Sequence, residues 1–231
     1  MKLLVITPIE EEFHVLSGVL RELGGEDEPV PFDHATARSF YQGRVLLLQG
    51  GLGRAEFGVH TQHSLDTLEE VGGVVCADVA GALDESLALG DVVVATETVE
   101  HDFNWPRGER PRFEGHGPFI DAIQDADIQT GGAFSIHFGP VASGDEGIND
   151  IDRAREIRDG TGALAVAWEG AGGARAARFS EVPWLEVRGI SDLADNNANS
   201  EWKGNVPRAM RNVATVLDSL VRRLTADVRP R

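Results

Sequence analysis

Three glutamates, Glu10, Glu11 and Glu12, stand where the apolar run of residues 3–7 breaks at Pro8, and they are the first residues whose type and place could do chemistry. Carboxyl groups gathered at a strand end can take protons from, or give them to, a bound molecule. Glu169 stands at a second strand-to-helix junction, and a further apolar strand ends in Arg188-Gly189-Ile190-Ser191-Asp192. Each also has a structural reading. Carboxylates in the first turn of a helix oppose its macrodipole, and an aspartate before a helix caps its free N–H groups. A first-turn glutamate together with a strand-end arginine and aspartate, all on one rim, is what points to a site.

The elements that would position these residues follow from the pattern of apolar runs. Short runs ending in Gly, Pro or Asp alternate with longer helical patterns, which predicts an α/β fold: a single domain over residues 1–231 with a central mixed, largely parallel twisted sheet flanked by helices. Strands are predicted at 3–7, 44–49, 74–78, 91–96, 135–141 and 184–190, and helices at 10–23, 55–70, 148–159, 170–179 and 206–224. In the last helix Val206, Met210, Val213, Leu217, Leu220, Val221 and Leu224 give one apolar face to cover the sheet. Residues 100–127 carry prolines and scattered aromatics without a period, and read as a long excursion of the kind that serves as a lid, binding loop or subunit contact. Ligands of open parallel sheets sit beyond the carboxyl ends of the strands, so the loops after the strands are where chemistry is expected.

Other motifs are weaker. Gly50-Gly51-Leu52-Gly53-Arg54 follows a strand and opens a helix, so its N–H groups could meet an anion or a ribose oxygen. It lacks both the full GxGxxG spacing and the lysine of a phosphate-cradling loop. His101 and Asp102 could serve as base or ligand, but no second His/Cys pair stands at ligand spacing, so no metal and no cofactor are predicted. Cys76, the single cysteine, lies in an apolar run and reads as core.

Net charge narrows the partners. With 38 acidic and 21 basic residues the chain carries −17, which opposes a phosphate backbone and argues against nucleic acid as a partner. A solvated acidic surface, suited to solubility or high salt, is the simple explanation. The N-terminal apolar run is too short for a signal peptide, and nowhere do roughly 18 apolar residues run together, so a soluble, cytoplasmic protein with no membrane contact is expected.

Six segments in order, "EEEF", "GGLGRAEF", "DVAGALDESLALGDVVVATE", "SGDEGI", "AVAWEGAG" and "VRGISDLAD", resemble the 5'-methylthioadenosine/S-adenosylhomocysteine nucleosidases of the purine and uridine nucleoside phosphorylase superfamily. The resemblance implies a nucleoside phosphorylase-like fold, a small-molecule nucleoside as substrate and a homodimer. It implies that Glu12 positions and deprotonates the attacking water, that Asp192 protonates the purine N7 with Ser191 and Arg188 in support, and that Glu169 holds the ribose hydroxyls. Ile148 would offer its main chain to the base, with Trp168, Val79 and Gly81 in the substrate-binding set. Phe103, Trp105, Trp202 and Phe13 would be candidates for the 5' substituent, with core packing as the alternative for each.

Cleaving an N-glycosidic bond develops positive charge on the ribose and negative charge on the departing base, so an acid near the base and a carboxylate near the water suit it. Phosphorylases of the superfamily carry an arginine in the first loop. Here that loop is Pro8-Ile9-Glu10-Glu11-Glu12, whose charges would repel a phosphate dianion. Hydrolysis is therefore expected, with Arg54 the one residue nearby that could still supply positive charge. Three positions depart from the family pattern: Gly147 where an aromatic is usual, Trp168 where a methionine is, and Val79 where a serine is. Trp168 is expected to refill part of the space at Gly147. Futalosine hydrolysis, phosphorolysis and nucleoside binding without catalysis are the alternatives on the same fold.

Overall fold

The computed structural model describes residues 2–23, 27–104 and 108–226. In chain order the elements are β1 (Lys2–Thr7), α1 (Glu10–Glu22), β2 (Glu28–Pro29), β3 (Ala37–Phe40), β4 (Val45–Gln49), α2 (Gly53–Thr67), β5 (Val71–Ala82), β6 (Val92–Glu100), β7 (Arg112–Glu114) and α3 (Gly117–Gln124). They continue as β8 (Ile136–Ser143), α4 (Ile151–Thr161), β9 (Ala165–Ala167), α5 (Gly170–Phe179), β10 (Trp184–Asp192) and α6 (Ala198–Ala226).

All the strands belong to one mixed sheet. Its longest ladders are parallel: β10 on β5, β6 on β8, and β1 between β4 and β5. The antiparallel pairings are shorter and join β10 to β6, β5 to β9, β6 to β7, and β2, β3 and β4 in series. Because β5 pairs with β10 and β9, while β6 and β8 link those two in turn, five strands close into a ring. The far end of that ring brings together the last residues of β5, β9 and β10, and hence the positions singled out above.

Val5, Leu47, Val75 and Val187 point to one face of the sheet and pack with Phe13, Leu16 and Leu20 of α1, Phe119 and Ile123 of α3, and the apolar face of α6 from Val206 to Val221. Leu4, Ile6, Val74 and Cys76 point to the other face, against Phe57 of α2 and Ala171, Ala174 and Ala177 of α5. There α2 and α5 cross so closely that a Cβ on Gly172 would overlap the carbonyl oxygen of Arg54, so only glycine fits that contact. Cys76 is buried in β5, and burial pushes its thiol well above the usual range, in keeping with a core role.

Three expectations are corrected. The strand predicted at 74–78 runs from Val71 to Ala82, and the one predicted at 184–190 runs on to Asp192, so Val79, Gly81, Ser191 and Asp192 are strand residues rather than loop residues. Small residues hid these ends, since "DVAGA" carries no strand-like bulk. The excursion is not devoid of elements: it holds β7, which pairs with β6, and α3, whose Phe119, Ile120 and Ile123 enter the core. The last helix begins at Ala198, eight residues early, which puts Trp202 on a helix.

Candidate active site

The carboxyl ends of β1, β5 and β10 and the turn after β9 surround a cavity of about 410 Å³. Its wall includes Glu12, Asp78, Val79, Gly81, Ile148, Trp168, Glu169, Ser191, Asp192 and Trp202. The charged side chains on that wall are all acidic: Glu12, Asp78, Glu146, Glu169 and Asp192.

Glu12 is the buried member of the glutamate triplet, while Glu10 and Glu11 are exposed on the first turn of α1. Its carboxyl meets Asp78 and Glu169. Burial first, then the charge and hydrogen bonding of Asp78 and the charge of Glu169, push Glu12 well above the usual carboxylate range, with Arg188 opposing. Glu169 begins α5. Its Oε1 accepts the N–H of Gly53 at 3.1 Å, and burial, followed by the charge of Asp78, pushes it up to about 8 against the pull of Arg188. Ser143 fixes this turn from both sides: its hydroxyl donates to the Trp168 carbonyl and accepts from the Ala171 N–H, each at 2.9 Å.

Asp192 occupies different surroundings. The Ser191 hydroxyl donates to its Oδ2 at 2.7 Å and the Ala194 N–H to its Oδ1 at 3.1 Å. Burial raises its pKa most; the two donors pull it back, and Glu201 and Asp195 push it up again, so the net shift is upward. Gly81 serves this carboxyl directly, because a Cβ there would stand 2.8 Å from Oδ1.

Arg188 lies beneath the cavity rather than on its wall, and is fully buried. It is the register partner of Asp78 across the β5–β10 ladder. Its Nε donates to Glu186 at 2.6 Å and its Nη1 to Asp78 and to the Val79 carbonyl, with Glu169 at 3.6 Å. The expected direct support of base and water by Arg188 is therefore revised: it reaches the cavity through Asp78 and Glu169. Phe13 is core, and Phe103 is exposed and away from the cavity wall. Trp202 is the aromatic of that set on the wall, and Trp105 lies outside the described residues.

The glycine-rich loop binds the protein's own groups. The N–H groups of residues 50–54 go in order to the carbonyls of Thr7 and Pro8, to Glu56, to Glu169 and to Asp145, which leaves no amide cradle for a phosphate. Arg54 is likewise occupied. Its guanidinium meets Glu100, Asp102 at 2.7 Å and Asp145 at 3.0 Å. Asp102 is thus committed to Arg54, and His101 is buried against Gly144, off the cavity wall.

Trp168 is 37% exposed and held edge-on by its Nε1, which donates to the Glu146 carbonyl at 3.0 Å. A Cβ on Gly147 would meet its Cζ2 at 3.6 Å, so the indole does lie across the space beside Gly147. Asp78, Glu186 and Ser143 were missed as site residues in the sequence. For two of them a signal existed: Asp78 interrupts an otherwise apolar strand, and Glu186 stands two residues from Arg188 and so on the same face of β10.

A sequence profile of the Phosphorylase superfamily matches residues 2–222. A 5'-methylthioadenosine/S-adenosylhomocysteine nucleosidase of Bacillus cereus is 30% identical over 209 residues, covering 86% of this chain and 89% of that protein. The protein of the same name from Mycobacterium bovis is 29% identical over 252 residues, covering 96% and 97%. The crystal structure of the Neisseria meningitidis nucleosidase in complex with methylthio-immucillin-A superposes with a TM-score of 0.84 at 27% identity, covering 96% of this chain and 98% of that one.

Proposed function

The chain belongs to the Phosphorylase superfamily and, within it, to the 5'-methylthioadenosine/S-adenosylhomocysteine nucleosidases, and from that premise we propose that it hydrolyses the N-glycosidic bond of methylthioadenosine or S-adenosylhomocysteine and releases adenine. One observation carries the reading: a single cavity holds two carboxyl groups in separate surroundings, Glu12 and Asp192, on a wall with no basic side chain among the described residues. Burial raises both, so place in the cavity rather than proton affinity divides the roles. Asp192, oriented by the Ser191 hydroxyl, gives a proton to the purine N7. Glu12 receives a proton from water as that water attacks the anomeric carbon, while the electrons of the broken C–N bond leave with the base.

Glu169 takes the ribose hydroxyls, oriented by the Gly53 N–H and the Ser143-pinned turn. Trp168 forms the wall on which the purine stacks, Ile148 offers its main chain to the base, and Trp202 borders the 5' substituent. The acidic wall and the engagement of Arg54 favour water over phosphate as the nucleophile. The same reading includes a cytoplasmic homodimer in which the whole chain acts as one unit; exposed Val59 and Phe179, which border one groove between α2 and α5, offer apolar surface for a second copy. Among the described residues no helix is long and apolar enough to cross a membrane.

The test is chromatographic detection of free base from methylthioadenosine, S-adenosylhomocysteine, adenosine, inosine and futalosine, with and without phosphate. Adenine and free sugar from the first two without phosphate are expected. Strict dependence on phosphate overturns hydrolysis, and turnover of futalosine or inosine alone reassigns the substrate. Asp192→Asn is expected to lose about 10²- to 10⁴-fold in kcat, the range of one general-acid contribution; a near-normal rate removes Asp192 from leaving-group protonation.

A further inference from the structure

Four carboxyl groups and one guanidinium gather at the floor of the cavity, three of the carboxyls in contact with the guanidinium. Glu12 comes from α1, Asp78 from β5, Glu169 from the start of α5, and Glu186 and Arg188 from β10; each of the five is at least nine-tenths buried. Their partners are unequal. Glu186 has the Arg188 Nε and the Thr98 hydroxyl. Asp78 has the Arg188 Nη1 on Oδ2 and the Val79 N–H on Oδ1 at 2.6 Å. Glu169 has the Gly53 N–H at 3.1 Å and Arg188 at 3.6 Å.

Glu12 has no such donor. Among the described residues its Oε2 is buried without a hydrogen-bond partner, and its carboxyl neighbours that of Asp78 on the same cavity wall. Two ionised carboxylates have no donor to offer each other, and a buried charge without a partner is strongly disfavoured. A single proton between the two supplies the missing donor and removes one of the like charges.

We propose that Glu12 and Asp78 act as a dyad that holds one proton between them, with Asp78 the positioning residue that donates to Glu12 Oε2 and so leaves the other Glu12 oxygen to take the proton of the attacking water. The consequence for catalysis rests on the hydrolase reading given above. In the step itself the water oxygen bonds to the anomeric carbon, one water proton passes to Glu12, the C–N electron pair goes to the purine, and Asp192 supplies the proton that the purine takes up. The dyad ends with both carboxyls neutral and Asp192 ionised, and solvent restores the starting proton count. The upward shift of Glu12, whose causes after burial begin with Asp78, agrees with such sharing.

Infrared difference spectra of the whole protein at neutral pH test the dyad without substrate. Glu12→Gln and Asp78→Asn are each expected to remove the same protonated-carboxyl band, because either amide replaces the shared proton as donor and lets the remaining carboxyl ionise. A band that survives Asp78→Asn but not Glu12→Gln would show that burial alone protonates Glu12, and the reverse would place an unshared proton on Asp78; either overturns the dyad. Glu12→Gln leaves the Arg188–Asp78 pair in place, so a band that survives this variant overturns the dyad even if the Asp78 variants fold poorly. Base release is the second readout. Asp78→Asn, which still donates, is expected to stay within about tenfold of wild type, whereas Asp78→Leu, which cannot, is expected to fall by about 10²-fold or more. Equal losses in the two overturn the donor role. Absence of base release from the wild-type protein would count against the hydrolase reading and leave the infrared result to decide the dyad.

Discussion

Two arginines in this protein are each surrounded by carboxylates, and the two clusters behave in opposite ways. Arg188 is fully buried under the cavity with Asp78, Glu169 and Glu186 around it. Arg54 stands at the rim, its side chain 21% exposed, with Glu100, Asp102 and Asp145. Around Arg188, Glu12 and Glu169 are pushed upward, because burial disfavours their charged forms and one cation cannot neutralise every neighbour. Around Arg54 the balance reverses. Burial lifts Asp145, but the Arg54 N–H, guanidinium and charge outweigh it and hold Asp145 below the usual range. The same residue types therefore store protons in one place and fix a loop in the other, and solvent access decides which.

The comparison is broken most severely by removing the buried cation. Arg188→Leu leaves buried carboxylates without their cation, and loss of one partner of a buried ion pair costs about 3–5 kcal/mol. Arg54→Met, at a partly solvated site, is expected to cost about 1 kcal/mol or less. Urea denaturation of both variants at neutral pH measures the contrast. Equal losses would mean that burial does not separate the two clusters.

A second test uses pH. Glu169 is raised in the folded protein to about 8, from the ordinary glutamate range in the unfolded chain. Its protonated form is the one the fold favours, so its contribution is fully present below that ordinary range and is lost as pH rises through about 8. Glu169→Gln cannot ionise. Thermal midpoints of variant and wild type are expected to lie close together at pH 5, with the variant gaining by several degrees as pH passes 8. A difference that stays flat with pH would show Glu169 ionised throughout and fully neutralised by Arg188, making the buried cluster resemble the rim.

What the sequence revealed of these clusters follows the same division between exposed junctions and buried strands. Glu12, Glu169 and Asp192 were legible because each stands where a run of one period gives way to another, and the six ordered segments fixed the fold and the superfamily. Asp78 and Glu186 were not, because each lies inside a strand, where a charge looks like an interruption until its cross-strand partner is known. Arg188 was seen, but its role was read one layer too close to the substrate, since register with Asp78 and bonding to Glu186 exist only in the folded sheet. Phe103 lies off the wall of this chain's own cavity, a placement that aromatic type does not foretell.

Trp168 joins the two clusters: it precedes Glu169 in the chain and is tied by its Nε1 to the Glu146 carbonyl, one residue after Asp145. Stacking of a base on an aromatic is worth about 1–3 kcal/mol. Trp168→Ala is therefore expected to raise KM by roughly five- to a hundredfold, with a smaller change in kcat. A fall in kcat at constant KM would place the indole in the chemical step instead, acting through Glu169.

The smallest effect isolates the rim. Arg54 bonds to Asp145 through its backbone N–H at 3.0 Å and through its guanidinium, and Asp145 begins the stretch that carries the Glu146 carbonyl and Gly147 to Trp168. Arg54→Met keeps the N–H and the side-chain bulk but frees three carboxylates, so the loop loosens without any loss from the cavity floor. A few-fold rise in KM with unchanged kcat is expected, the pattern of lost uniform binding. Raising salt from about 0.1 M to 1 M shortens the screening length from about 10 Å to 3 Å, so wild type and variant are expected to converge in salt. The buried Arg188 cluster, cut off from mobile ions, is expected to show no such convergence for its own variant. A fall in kcat for Arg54→Met, or a gap indifferent to salt, would make Arg54 part of the catalytic floor and erase the distinction between the two arginines.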